Sequence, residues 1–144
     1  MTPSTTRLLV PLTLAALVAT GCRSDGDGDG DTPSGSPRTL VVVSSDWNGW
    51  DAEHVATPET TTLPVRVGAS AQVESTGETV TFEVVGVDGG RVEVSSDHKL
   101  APQGETGGSN LNDLVHQVTV VPGDETVLRT PTLDAGYSYT LRLE

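Results

Sequence analysis

Between residues 39 and 144, apolar side chains recur at every second position and are interrupted at short intervals by Gly, Pro and Asp. This constrains the chain more than any other feature. Val80, Phe82 and Val84 alternate with other residues, as do Val92 and Val94, and Asp88-Gly89-Gly90 lies between the two runs. A period of two turns one face of a strand toward a core, and Asp-Gly between two such runs signals a tight hairpin. Leu40–Val43 is a continuous apolar run and reads as a first strand. Leu63, Val65 and Val67 alternate, and Ala71 and Val73 follow a turn at Val67-Gly68. Val118, Val120 and Val121 stop at Pro122-Gly123-Asp124, Val127-Leu128 come next, and Tyr137, Tyr139, Leu141 and Leu143 close the chain. About seven or eight short strands at this spacing predict an all-β domain, a small two-sheet antiparallel β-sandwich, with a small closed barrel as the alternative.

The core must be economical. Trp47, Trp50, Phe82, Tyr137 and Tyr139 are the only aromatic residues, and Val, Thr and Gly dominate. The segment Leu133-Asp134-Ala135-Gly136-Tyr137-Ser138-Tyr139-Thr140-Leu141 resembles the fibronectin type III stretch around the tyrosine corner. The resemblance implies an Ig-like sandwich with the Tyr139 hydroxyl bonded back to the backbone of its own turn. One helical turn is expected at Asn110–Leu114, capped by Asn110 or Asn112. Val41-Val42-Val43-Ser44-Ser45-Asp46 and Val92-Glu93-Val94-Ser95-Ser96-Asp97 share the pattern V-x-V-S-S-D, each read as ending a strand. A duplicated half-domain and coincidence in a Val- and Ser-rich chain both account for it. The polar stretches 46–61 and 97–113 are the expected loops, and loops are where function concentrates.

The first 38 residues follow a different logic. A short polar stretch with one charge, Arg7, precedes the apolar run Leu8–Thr20. Thirteen residues are shorter than the roughly 20 that a spanning helix needs, and the layout is that of a secretory signal peptide. The run ends Ala19-Thr20-Gly21-Cys22, which resembles the lipobox of bacterial lipoproteins; Ala19 stands where Leu is usual. The resemblance implies a signal peptide over 1–21, a diacylglyceryl group on the Cys22 thiol, further acylation such as palmitate, and a place on the extracytoplasmic face of the cell membrane. Cys22 is the only cysteine, so no disulfide forms within the chain. Arg23–Arg38 (RSDGDGDGDTPSGSPR) cannot bury apolar area, so 22–38 is predicted to be a disordered linker, reaching roughly 20 Å as a flexible coil. Its alternating Asp25, Asp27, Asp29 and Asp31 resemble the start of an EF-hand loop. Ser36 stands where that loop needs its closing Glu, so no calcium site is expected.

Charge and residue types narrow the function of 39–144. The net charge is -12, and without Arg7 seven basic side chains face twenty acidic ones. With no basic patch, no nucleic-acid partner is expected. His54, His98 and His116 lack metal-binding spacing, Met1 is the only Met, and no cofactor or metal is expected. There is no Gly-x-Ser-x-Gly elbow, and Ser96-Asp97-His98 are consecutive rather than converging. A non-catalytic module is predicted.

Trp47-Asn48-Gly49-Trp50 supplies the candidate binding residues, Trp47 and Trp50. Two Trp side chains three apart in a Gly-containing loop either form a platform for a sugar or peptide or plug the end of a core short of aromatics. Gly104-Glu105-Thr106-Gly107-Gly108 and Ser75-Thr76-Gly77 resemble the Gly-rich loops of chagasin-type cysteine-protease inhibitors. The Asn-Pro-Thr-Thr-Gly and Arg-Pro-aromatic loops of that family are absent, so no residue role carries over. The expectation is a membrane-anchored binding or structural module whose partner, besides the membrane, is an envelope protein or cell-wall polymer. The alternatives are a chagasin-like inhibitor and a small carbohydrate- or peptide-binding module using Trp47 and Trp50.

Overall fold

The computed structural model describes residues 38–144. The signal peptide, Cys22 and nearly all of the linker lie outside the described residues. Eight strands follow in order: β1 (Thr39–Asn48), β2 (Pro58–Pro64), β3 (Ser70–Glu74), β4 (Thr79–Asp88), β5 (Arg91–Pro102), β6 (Val115–Val120), β7 (Thr126–Arg129) and β8 (Ala135–Leu143). All pairings are antiparallel. The strand order is β2-β1-β8-β7-β5-β4-β3, with β6 also on β5. The domain is all-β, a small antiparallel sandwich curled almost into a barrel. β2 and β3 end the order, and each pairs on one side only. Pro58 and Pro64 bound β2, where an end strand tolerates the missing donor.

The hairpin signal forms where expected. Asp88 pairs with Arg91, and the two residues between them, Gly89 and Gly90, have φ of 53° and 85°. Positive φ at both central positions is the type I′ geometry, whose twist matches that of the flanking strands. β5 then serves both sheets. Val92–Ser96 pair with β4, Val92–Ser95 also pair with β6, and Ala101 and Pro102 pair with β7. Register breaks between Ser95 and Leu100, where the Ser96 hydroxyl donates to the His98 carbonyl at 2.7 Å.

Local structure departs from two expectations. The second V-x-V-S-S-D copy does not end a strand, because β5 runs on to Pro102. The copies also sit in opposite phase: Ser44 is buried in the first and Ser96 in the second, so the first serine points inward in one and the second serine in the other. A one-residue offset turns a strand over, so the copies are not equivalent halves. No helical turn forms at Asn110–Leu114. The Asn110 side chain instead accepts the Asn112 amide and donates to Asp113, closing an Asx turn that competes with helix.

The alternating residues meet in one core. Val80, Phe82 and Val84 of β4 and Val92 and Val94 of β5 face Leu40 and Val42 of β1, Leu128 of β7, and Tyr139 and Leu141 of β8. Phe82 meets Tyr139 edge to face, with centroids 5.4 Å apart. Tyr139 is fully buried, and its hydroxyl donates to the Glu74 carbonyl of β3 at 3.3 Å. The bond that the tyrosine-corner resemblance implied, back to its own turn, is replaced by one that spans the domain.

These contacts predict a graded loss. Phe82→Ala leaves a cavity and should lower unfolding free energy by about 3–5 kcal/mol. Tyr139→Phe keeps the ring and leaves one carbonyl unpaired, at about 1 kcal/mol. Urea unfolding of the full chain, followed by tyrosine and tryptophan fluorescence, reads both.

Candidate functional site

Three connections gather at one end of the domain. They are the β1–β2 loop (49–57), the β3–β4 turn (75–78) and the β7–β8 loop (130–134). The first and last are joined where β1 and β8 run out. Trp47 pairs with Gly136 and Asn48 with Ala135, and the Gly49 amide then donates to the Asp134 carbonyl at 2.7 Å. Gly136 is buried, and a Cβ there would overlap the Thr130 hydroxyl, so the position requires glycine. Thr130 accepts the Tyr137 amide at 3.0 Å, and Thr132 donates to the Ala135 carbonyl at 2.6 Å. These bonds hold the β7–β8 loop in shape. The Asn48 side chain accepts the Trp50 amide, and that of Asp51 accepts the Glu53 amide, each at 2.9 Å.

Asp46 and Asp97, the last residues of the two V-x-V-S-S-D copies, perform the same task despite their opposite phase. Each accepts a backbone amide just beyond the last paired residue on one side, Asp46 from Thr57 of the β1–β2 loop at 2.8 Å and Asp97 from Thr81 of β4 at 2.9 Å. Each also holds a histidine. His54 Nε2 lies 2.9 Å from Asp46 Oδ2, off the axis of a directional hydrogen bond. His98 Nδ1 lies 2.8 Å from Asp97 Oδ1, and its Nε2 lies 3.5 Å from Glu78.

The charge states follow from these contacts. The Thr57 amide, with His54 adding to it against the effect of burial, holds the Asp46 carboxyl below its ordinary range. Burial works to raise Asp97, and the Thr81 amide and His98 outweigh it, so this carboxyl also sits low. The Asp97 hydrogen bond raises His98, with Glu78 adding to it. Burial, and then the carboxylates of Asp46, Glu74 and Glu59, push the Tyr137 hydroxyl up.

Two clefts flank the β3–β4 turn. One, of about 360 Å³, is lined by Asp46, Trp47, His54, Thr76, Gly136 and Tyr137. The other, of about 260 Å³, is lined by Thr76, Glu78, His98, Lys99, Thr130 and Thr132. The two candidate tryptophans have separate situations. Trp47 is half-buried on the cleft wall, with its indole nitrogen buried and unpartnered. Trp50 stands 78% exposed in the loop, so it plugs no core. Leu133 lies across the Gly49–Asp134 bond from Trp50 and is 79% exposed.

The expected loops are redrawn. Residues 46–48 and 58–61 belong to strands, as do 97–102. What remains of the second stretch, 103–113, lies beside the β6–β7 connection, where Gln103, Gly104 and Glu105 share a cleft with Glu125 and Thr126. It is not part of the Trp end. The two Gly-rich segments likened to inhibitor loops therefore line different clefts. Leu133 and Asp134 do not stand out beside Trp50 in the sequence, because the β1–β8 register brings them together, and the 75–78 turn reaches Trp47 only through the tertiary fold. Among the described residues, no group of three or more His, Cys, Asp or Glu is arranged to hold a metal ion, and no helix is long and apolar enough to cross a membrane. No family model, no curated protein and no solved structure matches the chain.

Titration of the His98 ring tests the electrostatics. Its midpoint should lie above the ordinary 6.5, and Asp97→Asn should bring it down. A raised folded midpoint means that protonated His98 stabilises the domain fully below pH 6.5. That contribution fades as pH rises through the folded midpoint. NMR of the ring carbons reads the midpoint, and unfolding curves on either side of it read the stability.

Proposed function

We propose that this chain is a lipoprotein anchored through Cys22 on the extracytoplasmic face of a bacterial membrane, and that its β-domain is a non-catalytic recognition module working through the Trp47–Trp50 end. The observation that carries this reading is the 78% exposure of Trp50 where three connections converge. Trp is a costly residue to leave in water, and an exposed one at a loop cluster suits an anchor for a partner.

The direction of β1 supports the same reading. The linker reaches the domain at Arg38, and the Thr39 amide donates to the Glu144 carbonyl at that end. β1 then runs ten residues to Asn48, a strand of roughly 30 Å. Within the described residues, Arg38 and the Trp end are thus separated by the length of β1. The acidic surface adds to this, since anionic headgroups repel it.

The clefts favour binding over hydrolysis. Ser96 is buried and gives its proton to a main-chain carbonyl, and the free nitrogen of His98 faces Glu78 rather than a hydroxyl. A carbohydrate-binding module remains the second reading, because a single exposed indole also suits a sugar face.

Metabolic labelling with an alkyne fatty acid tests the anchor. The wild-type chain should take up label and sediment with membranes, and Cys22→Ser should do neither. Label that persists in Cys22→Ser would overturn the anchor.

A further inference from the structure

We infer that the exposed Trp50–Leu133 ridge docks a basic polypeptide segment that presents an apolar side chain beside its Lys or Arg residues. This rests on the recognition-module reading above and adds the class of partner.

The ridge is apolar and open. Trp50 and Leu133 flank the Gly49–Asp134 bond on neighbouring loops, and Val55 in the β1–β2 loop is 82% exposed. Two large apolar side chains mostly in water on either side of one backbone bond make a local apolar feature that a partner's side chain can cover. Their supports are rigid: the Asn48, Asp51 and Thr132 side chains tie the two loops to their own backbones. A side chain held in place loses little freedom on binding.

The surrounding charge selects the occupant. The connections 49–57, 75–78 and 131–134 contain Asp51, Glu53, Glu78 and Asp134, and neither Lys nor Arg. Among the described residues, Asp51, Glu53 and Asp134 take part in no salt bridge. These three exposed, uncompensated carboxylates border an indole that also attracts cations through its ring face. A neutral glycan would leave them unused, and an anionic polymer or lipid surface would be repelled. A segment with Lys or Arg next to Leu or a similar residue meets both features, its apolar side chain on Trp50 and Leu133 and its charges on the carboxylate rim.

The test uses the full chain in zwitterionic nanodiscs, with empty discs subtracted, and follows tryptophan emission. The probes are a short peptide alternating Lys and Leu, its Glu-for-Lys and Ser-for-Leu counterparts, and a neutral cell-wall glycan fraction. The Lys-Leu peptide should shift the emission to the blue and bind more weakly as salt rises. Trp50→Ser should weaken binding about tenfold, the size of a central interface anchor. Asp134→Asn should weaken it severalfold and flatten the salt dependence, while Glu83→Gln, on the exposed face of β4, should change nothing. Trp50→Ser replaces a solvent-exposed residue and should keep the wild-type melting temperature. Equal binding of the Lys-Leu peptide by Trp50→Ser, or of the Lys-Leu and Lys-Ser peptides by the wild type, would overturn the inference in favour of diffuse charge attraction. A blue shift with the glycan and none with the Lys-Leu peptide would overturn the partner class and leave the recognition module standing. No shift with any probe would overturn both.

Discussion

A sheet that curls almost closed must fasten its two ends, and this domain has little with which to do so. β2 and β3 end the strand order without pairing to each other. The Tyr139 side chain supplies the tie. It leaves β8, crosses the core against Phe82, stacks with Tyr137 at 6.4 Å, and ends on the Glu74 carbonyl of the terminal strand β3. A buried hydroxyl needs a partner and an edge strand has spare carbonyls, so one bond answers both needs. With five aromatic residues in the chain, three are engaged in this cluster. That leaves the two tryptophans for the rim.

The same economy shapes the rim. The barrel-like curl brings β1 and β8 out at one end as a pair, and the register that places Trp47 opposite Gly136 also carries Trp50 toward Leu133. Asp46 and Asp97 each add one amide bond just beyond the last paired residue on one side. Both therefore fix loop geometry while keeping a histidine close. The recurrence of V-x-V-S-S-D in opposite phase shows what is reused here. It is not the burial pattern but the final Asp, a short acceptor that takes one backbone amide beyond the last paired residue on one side of its strand.

The strands were legible in the sequence because period-two alternation and Gly-Gly or Pro-Gly turns are local signals, and Asp88-Gly89-Gly90 did what its residues dictate. The extent of β5 was not legible. The polar run from Asp97 reads as the start of a loop, yet pairing with β6 and β7 on either side of the bend carries the strand on to Pro102. The destination of the Tyr139 hydroxyl was hidden for the same reason, since its partner is 65 residues away in sequence. Trp47 and Trp50 stood out as residue types. Their different exposures, and the company of Leu133 and Asp134, depend on the β1–β8 register, which a local pattern does not encode.

Amide-resolved NMR of the chain, recorded while envelope fractions are added, tests the central claim most directly. The account predicts shifts confined to residues 47–57, 75–78 and 130–136, with the 103–114 loop and the Asp88–Arg91 hairpin unmoved. Shifts centred on 103–114, or a well-dispersed β spectrum that no fraction perturbs, would contradict it.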